Sequence, residues 1–135
     1  GLAQLERLDQ LIARKRRMGA RYNQFLADVP GLQLPVSNTN YAENCYWVYG
    51  VVLDDGVELD AQEMIRILRE NNIGSRPFFW PLHQQPVFNR EGKFLNEQHS
   101  VSENIARRGL YLPSGAAITD YQIEYVAKTV KSIMK

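Results

Sequence analysis

Residues 76 to 88 read Arg-Pro-Phe-Phe-Trp-Pro-Leu-His-Gln-Gln-Pro-Val-Phe and hold most of what this chain offers for chemistry. Three prolines in thirteen residues exclude a regular helix or a central strand. They predict a stiff, extended loop whose backbone entropy is already low. Arg76 supplies a planar fork that pairs with a phosphate or a carboxylate. His83 supplies an imidazole, the side-chain type that titrates near neutrality. Phe79 and Trp80 supply flat faces for a ring or a sugar. Each type also has an ordinary structural use: a surface or ion-paired arginine, a structural histidine, an aromatic that fills a core or an interface. Residue types alone support a ligand-binding loop and name no ligand.

Other constellations are weaker. His83 and His99 are sixteen positions apart, with no carboxylate or cysteine at ligand spacing, so no metal site is expected. Cys45 is the only cysteine, which rules out an internal disulfide and suits a reducing, cytoplasmic setting. It falls in a segment expected to be a buried strand and has no neighbouring histidine, so it is not expected to be a nucleophile. No phosphate-loop or Gly-x-Gly-x-x-Gly pattern occurs. The formal net charge of +1 lacks the basic excess of a nucleic-acid or membrane-surface binder. The one basic cluster, Lys15-Arg16-Arg17, reads as the solvated face of a helix. No apolar run approaches the ~20 residues of a membrane span.

The elements that would position the loop follow from periodicity. Residues 2 to 26 read as one long amphipathic helix, with Leu5, Leu8, Ile12, Tyr22, Phe25 and Leu26 on one face and a stop at Pro30-Gly31. Residues 31 to 41 form a loop. Residues 45 to 54 read as a strand that is apolar on both faces, ended by Asp54-Asp55-Gly56. Asp60 with Glu63 makes a capping-box pattern for a helix with Met64, Ile65 and Leu68 inward, stopped in the left-handed region by Asn71, Asn72 and Gly74. A short extended piece follows at 75 to 80. Ser100 with Glu103 predicts another capped helix ending near Gly109, Leu110 to Leu112 a brief strand, and Thr119 with Gln122 a last helix facing inward through Ile123, Val126, Ala127, Val130 and Ile133. One domain of 135 residues with helices against a short sheet is an α+β fold, a small α/β layer. The pattern does not give strand direction.

Three stretches carry a resemblance. Gly1-Leu-Ala-Gln-Leu-Glu-Arg-Leu-Asp9, the loop Ser75 to Phe88, and Arg107-Arg-Gly-Leu-Tyr-Leu-Pro113 resemble, in order and spacing, the C-terminal part of the DegT/DnrJ/StrS sugar aminotransferases. The resemblance spans essentially the whole chain. It implies the small C-terminal domain of a fold-type-I aminotransferase, with a short, mostly antiparallel sheet. The intact enzyme it implies is dimeric and uses pyridoxal phosphate to move an amino group from glutamate to a nucleotide-linked keto-deoxysugar. The Arg-Pro-Phe-Phe-aromatic-Pro form is most similar to perosamine synthetases, which act on GDP-4-keto-6-deoxymannose. By the same resemblance, Arg76 and His83, with Phe79 and Trp80 beside them, are expected on the substrate side.

The family's Schiff-base lysine, cofactor-ring acid and phosphate-binding residues precede this segment. Lys15, Lys93, Lys128, Lys131 and Lys135 lie in no matching motif. Residues 1 to 135 are therefore expected to be one substrate-side domain, with no catalytic, cofactor-binding or metal-binding residue of its own and no activity alone. Gly1 runs straight into helical pattern with no cap, which favours a start inside a larger protein. The other reading is a stand-alone, non-catalytic binding or regulatory module that reuses such a domain.

Overall fold

The computed structural model describes residues 1–135. The elements are α1 (Leu2–Leu5), α2 (Leu8–Leu26), β1 (Leu32–Gln33), β2 (Tyr49–Leu53), α3 (Ala61–Glu70), β3 (Arg76–Pro77), a 3-10 turn (Leu82–Gln84), α4 (Pro86–Arg90), α5 (Ser100–Arg108), β4 (Gly109–Leu112) and α6 (Asp120–Ile133). The four strands lie in the order β1-β2-β4-β3, and every pair is antiparallel. This is the α+β architecture expected. No helix is long and apolar enough to cross a membrane.

Side chains alternate across a strand, so the register assigns the two faces of the sheet. Tyr49 and Val51 stand opposite Leu112 and Leu110, and all four are buried with Leu53. Against this face α2 sets Met18, Tyr22 and Leu26, α3 sets Ala61, Met64 and Leu68, and α6 sets Ile123, Val126, Ala127 and Val130. Tyr22 stacks on Tyr49 with centroids 4.5 Å apart. Tyr22 donates its hydroxyl to the Pro113 carbonyl at 2.8 Å, and Tyr49 donates to Asn23 Oδ1 at 2.6 Å. Burial pushes both phenols above their ordinary range, so they remain donors at any physiological pH.

The opposite face pairs Gly50 with Tyr111 and Val52 with Gly109. The two glycines leave a flat bed on which the Phe78 ring lies. A Cβ on Gly50 would come within 2.8 Å of that ring, and one on Gly109 within 2.6 Å. Phe78 also stacks on Tyr111 at 4.6 Å. The aromatic loop is thus seated on the sheet by its third residue.

Several expectations need correcting. The first helix is broken at Glu6–Arg7, where Arg7 leaves helical geometry (φ −113°, ψ 11°). Leu2, Leu5 and Leu8 are exposed, so no burial holds the first turns to the rest; the inward face is Met18, Gly19, Tyr22 and Leu26. The strand expected at 45–54 begins only at Tyr49. Asn44 Oδ1 accepts the Tyr46 N–H at 2.7 Å, Tyr46 turns left-handed (φ 51°), and Cys45 is exposed instead of buried. The loop at 31–41 contains β1. Of the residues expected to stop α3, Asn72 takes the left-handed turn (φ 57°) and Gly74 does not, and the Ile73 N–H returns to the Leu68 carbonyl at 2.9 Å. Asp60 caps Glu63 N at 2.9 Å, but the Glu63 carboxylate turns to Arg66 and leaves the box half made. At α6 the Thr119–Gln122 box is complete.

Two basic features hold the layers together. Lys15, expected in solvent, donates to the Trp47 carbonyl at 2.8 Å and to the Ser114 carbonyl, and burial pulls its ammonium below the ordinary lysine range. Arg16 pairs with Glu43 at 2.6 Å and Arg17 with Asp120 at 2.8 Å, so the basic run ties α2 to the loop before β2 and to the first turn of α6. Arg108, 4% exposed, donates to the carbonyls of Leu53, Asp54, Val57 and Leu59 across the β2–α3 turn.

Gly19 lies inside α2, where alanine ordinarily stabilises by about 1 kcal/mol. Here a Cβ would sit 2.5 Å from the Tyr46 ring. Tyr46 is itself held left-handed and buried, so it cannot simply swing away. Gly19→Ala should therefore lower stability by about 1–3 kcal/mol in denaturant unfolding, the usual effect of overpacking. A gain in stability would show that Tyr46 is loosely held.

Candidate functional site

The loop starts on the free edge of the sheet. Arg76 pairs with Tyr111 and Pro77 with Leu110, and the Phe78 N–H continues the ladder to the Gly109 carbonyl at 3.2 Å. An edge strand tolerates Pro77 because its missing donor is not needed there. Arg76 is exposed, and no carboxylate of the chain pairs with it. Its fork is free for an anion. Phe79 is 71% exposed and meets Tyr111 edge-on at 6.1 Å. Trp80 is 57% exposed, its indole N–H donating to the Gln84 carbonyl at 3.1 Å while Gln85 Nε2 donates back to the Trp80 carbonyl at 3.0 Å. The two bonds fix the tryptophan to its own loop while leaving much of the ring open.

The loop is not extended throughout. A 3-10 turn follows Pro81, and Pro86 occupies the first turn of α4, a place where its missing N–H costs nothing. Phe88 and Phe94 then close a small lobe edge-to-face at 5.5 Å. His83 is turned inward, 9% exposed. Its Nε2 lies 2.8 Å from Glu103 Oε1, and its ring meets His99 at 4.8 Å. The same Glu103 oxygen accepts the His99 N–H at 2.9 Å, which makes His99, not Ser100, the cap position of α5. These two bonds hold the Glu103 carboxyl below the ordinary carboxylate range, the backbone donor contributing most.

The four expected residues therefore separate. Arg76, Phe79 and Trp80 present themselves to solvent within five positions, and His83 is packed behind them. Sequence reasoning did not single out Tyr111, which pairs with Arg76 and carries both Phe78 and Phe79; alternation along β4 puts it on the non-core face and was the available signal. Glu103 was read only as a helix cap. The cleft beside His83, lined by Pro81, Leu82, Phe94, Glu97, His99 and Ser102, has a volume of about 380 Å³. A hollow of about 370 Å³ between α2 and the turn before α6 has Arg17 already committed to Asp120, and none of the loop's residues reach it.

Three of the chain's lysines are already engaged. Lys15 is drawn partly out of solvent, and its ammonium is spent on two carbonyls. Lys93 and Lys128 pair with Glu91 and Glu124 on the surface. No cluster of histidine, cysteine and carboxylate side chains is gathered to hold a metal.

The model of the DegT/DnrJ/EryC1/StrS aminotransferase family matches residues 1–131. A GDP-perosamine synthase of Vibrio cholerae is 32% identical over 98% of this chain and 35% of its own length. The putative pyridoxal phosphate-dependent aminotransferase EpsN of Bacillus subtilis is 34% identical over 89% of this chain and 30% of its own. Among solved structures, the aminotransferase TlmJ of Streptoalloteichus hindustanus superposes with a TM-score of 0.81 at 28% identity, over 98% of this chain and 34% of that one. The chain spans about a third of the length of the curated relatives it matches. By its sequence and its fold, this chain belongs to the DegT/DnrJ/EryC1/StrS aminotransferase family.

Proposed function

We propose that the chain is the C-terminal, substrate-side domain of a pyridoxal-phosphate-dependent aminotransferase. The intact enzyme moves an amino group from glutamate to a nucleotide-linked 4-keto-6-deoxysugar, as a perosamine synthetase does, and works as a cytoplasmic homodimer. The observation that carries this reading is Arg76: an unpaired guanidinium on a sheet edge, beside two exposed aromatic rings, is built to meet an anion attached to something flat. A nucleotide-linked sugar offers phosphates for the fork and rings for Phe79 and Trp80. Similarity to a GDP-perosamine synthase along nearly the whole chain supports the same substrate class.

In this reading the cofactor is held by the rest of the protein and serves as the electron sink of amino transfer. This domain's residues bind and aim the sugar. Arg76 fixes the anionic end, Phe79 and Trp80 cover a face and shed water, and His83 holds the loop from behind. Holding the keto carbon at reacting distance removes much of the entropic barrier.

The test uses the full-length protein with pyridoxal phosphate, glutamate and GDP-4-keto-6-deoxymannose, with the corresponding dTDP sugar beside it. A product with the mass of the amino sugar, formed in step with 2-oxoglutarate, is expected. A full-length protein that binds no pyridoxal phosphate and turns over neither sugar would reject this reading in favour of a non-catalytic module.

A further inference from the structure

The lobe from Trp80 to His99 closes on itself, through the Trp80–Gln84 and Gln85–Trp80 bonds and the Phe88–Phe94 contact, and its outer surface is largely exposed. At its start, Phe78 and Phe79 rest on Tyr111. Beyond that point the side-chain hydrogen bonds from the lobe to the body of the domain run to one carboxylate oxygen, beside the backbone bond from the Glu103 N–H to the His99 carbonyl at 3.0 Å. Glu103 Oε1, on the first turn of α5, takes the His83 ring at 2.8 Å and the His99 N–H at 2.9 Å. His83 stands near the beginning of the lobe and His99 at its end, so one acceptor pins both. The T-shaped contact of the two rings, 4.8 Å apart, packs them around that oxygen.

We propose that Glu103 is a positioning residue for the sugar nucleotide: it latches the 80–99 lobe onto α5 and so fixes where Trp80 and the start of the loop stand relative to Arg76. The inference rests on the substrate-side reading of the loop given above. Glu103 acts through His83 and the cap of α5. A carboxylate suits the task because it accepts two donors on one oxygen without rearranging, and charge assistance strengthens both bonds. The helix N-terminus beside it favours the same charge. With His83 neutral, the proton on Nε2 makes the imidazole a donor to Glu103.

The experiment compares Glu103→Ala, Glu103→Gln and Arg76→Ala in the full-length enzyme. Hydrogen exchange of peptides covering residues 80–99 is read without any substrate, and the two half-reactions are then timed separately. Glu103→Ala removes both bonds and should speed exchange across the lobe by about tenfold or more. It should slow the sugar half-reaction by about tenfold or more through misplacement, with the glutamate half-reaction close to wild type. Glu103→Gln retains an acceptor oxygen for both donors and should recover most of both effects. It also keeps the α5 cap, which covers the case in which the alanine variant folds poorly. Unchanged exchange in Glu103→Ala would overturn the latch. Faster exchange with an undisturbed sugar half-reaction, while Arg76→Ala still slows that step, would overturn the positioning role and leave the substrate reading standing. If neither variant slows the sugar step, the substrate reading itself fails and the positioning role falls with it.

Discussion

Arg76→Ala in the full-length enzyme should cut kcat/KM for the sugar nucleotide by roughly 10- to 150-fold, the loss of one charge-assisted contact of about 1.5–3 kcal/mol. Stability should hardly move. The guanidinium is exposed and supports no other residue of the chain, and surface substitutions of that kind stay within about 0.5 kcal/mol. The effect should be confined to one half of the reaction. Glutamate is a small dicarboxylate and does not need the aromatic faces beside Arg76, so its half-reaction should run near the wild-type rate. Arg76→Lys should recover only part of the loss, because an ammonium replaces a planar fork with a point charge. Single-turnover absorbance traces of the two half-reactions decide the matter. Equal slowing of both would mean that Arg76 serves the amino donor as well, and that the loop is not specific to the sugar.

The fold was largely legible because its signals are local. The Thr119–Gln122 box, the Asp60 cap and the apolar faces of α3 and α6 each depend on residues within two turns of one another, and each lies where periodicity puts it. What failed depended on distant partners. Nothing near Cys45 announces that Tyr46 must turn left-handed to lay its ring on Gly19, twenty-seven positions earlier. Nothing in Lys15-Arg16-Arg17 reveals the carbonyls of Trp47 and Ser114 that take the first of them out of solvent. At the site, residue types marked the loop, since prolines, aromatics and an arginine crowd together there. They could not show which side chains face out. His83 and Arg76 looked alike as polar heads on a stiff segment, and only the fold turns one toward Glu103 and leaves the other free. Tyr111 and Glu103 each served a local pattern that already explained them, so their second use was hidden.

Arg108→Ala should lower unfolding stability by about 3–4 kcal/mol, the largest loss expected from a single substitution outside the apolar core. Four carbonyls of the β2–α3 turn receive the guanidinium, and no carboxylate touches it. Removing it takes donors from carbonyls of a turn whose own backbone adds the Val57 N–H to Asp54 carbonyl bond at 3.0 Å and the Asp54 N–H to Gly31 carbonyl bond at 2.9 Å. The charge itself is tolerated because it sits in the last turn of α5, where the helix dipole favours a cation. Arg108→Lys keeps the charge but reaches fewer carbonyls, and should recover less than half of the loss. For a domain of this size the alanine variant should melt roughly 10 °C lower. Denaturant unfolding with an unchanged slope would attribute the loss to the native state. A loss below about 1 kcal/mol would mean that the turn is shaped by its own backbone and Arg108 is only a passenger.

The central ladder has a consequence for how the chain is made. Beyond the two residues it pairs with β1, β2 finds its partner in β4, which leaves the ribosome only after α3, β3, α4 and α5, and the other half of the core arrives later still with α6. Loop closure of that length is slow relative to pairing between neighbours in sequence. During synthesis Tyr22, Tyr49, Val51 and Leu53 have no lasting cover, and an unpaired strand edge stands open beside them. Ribosome-stalled chains ending before Gly109 should be cut quickly by protease between α2 and β2, and chains that extend past Ile133 and clear the exit tunnel should resist. The order of strands thus makes this domain a late folder, open to protease until its last helix emerges.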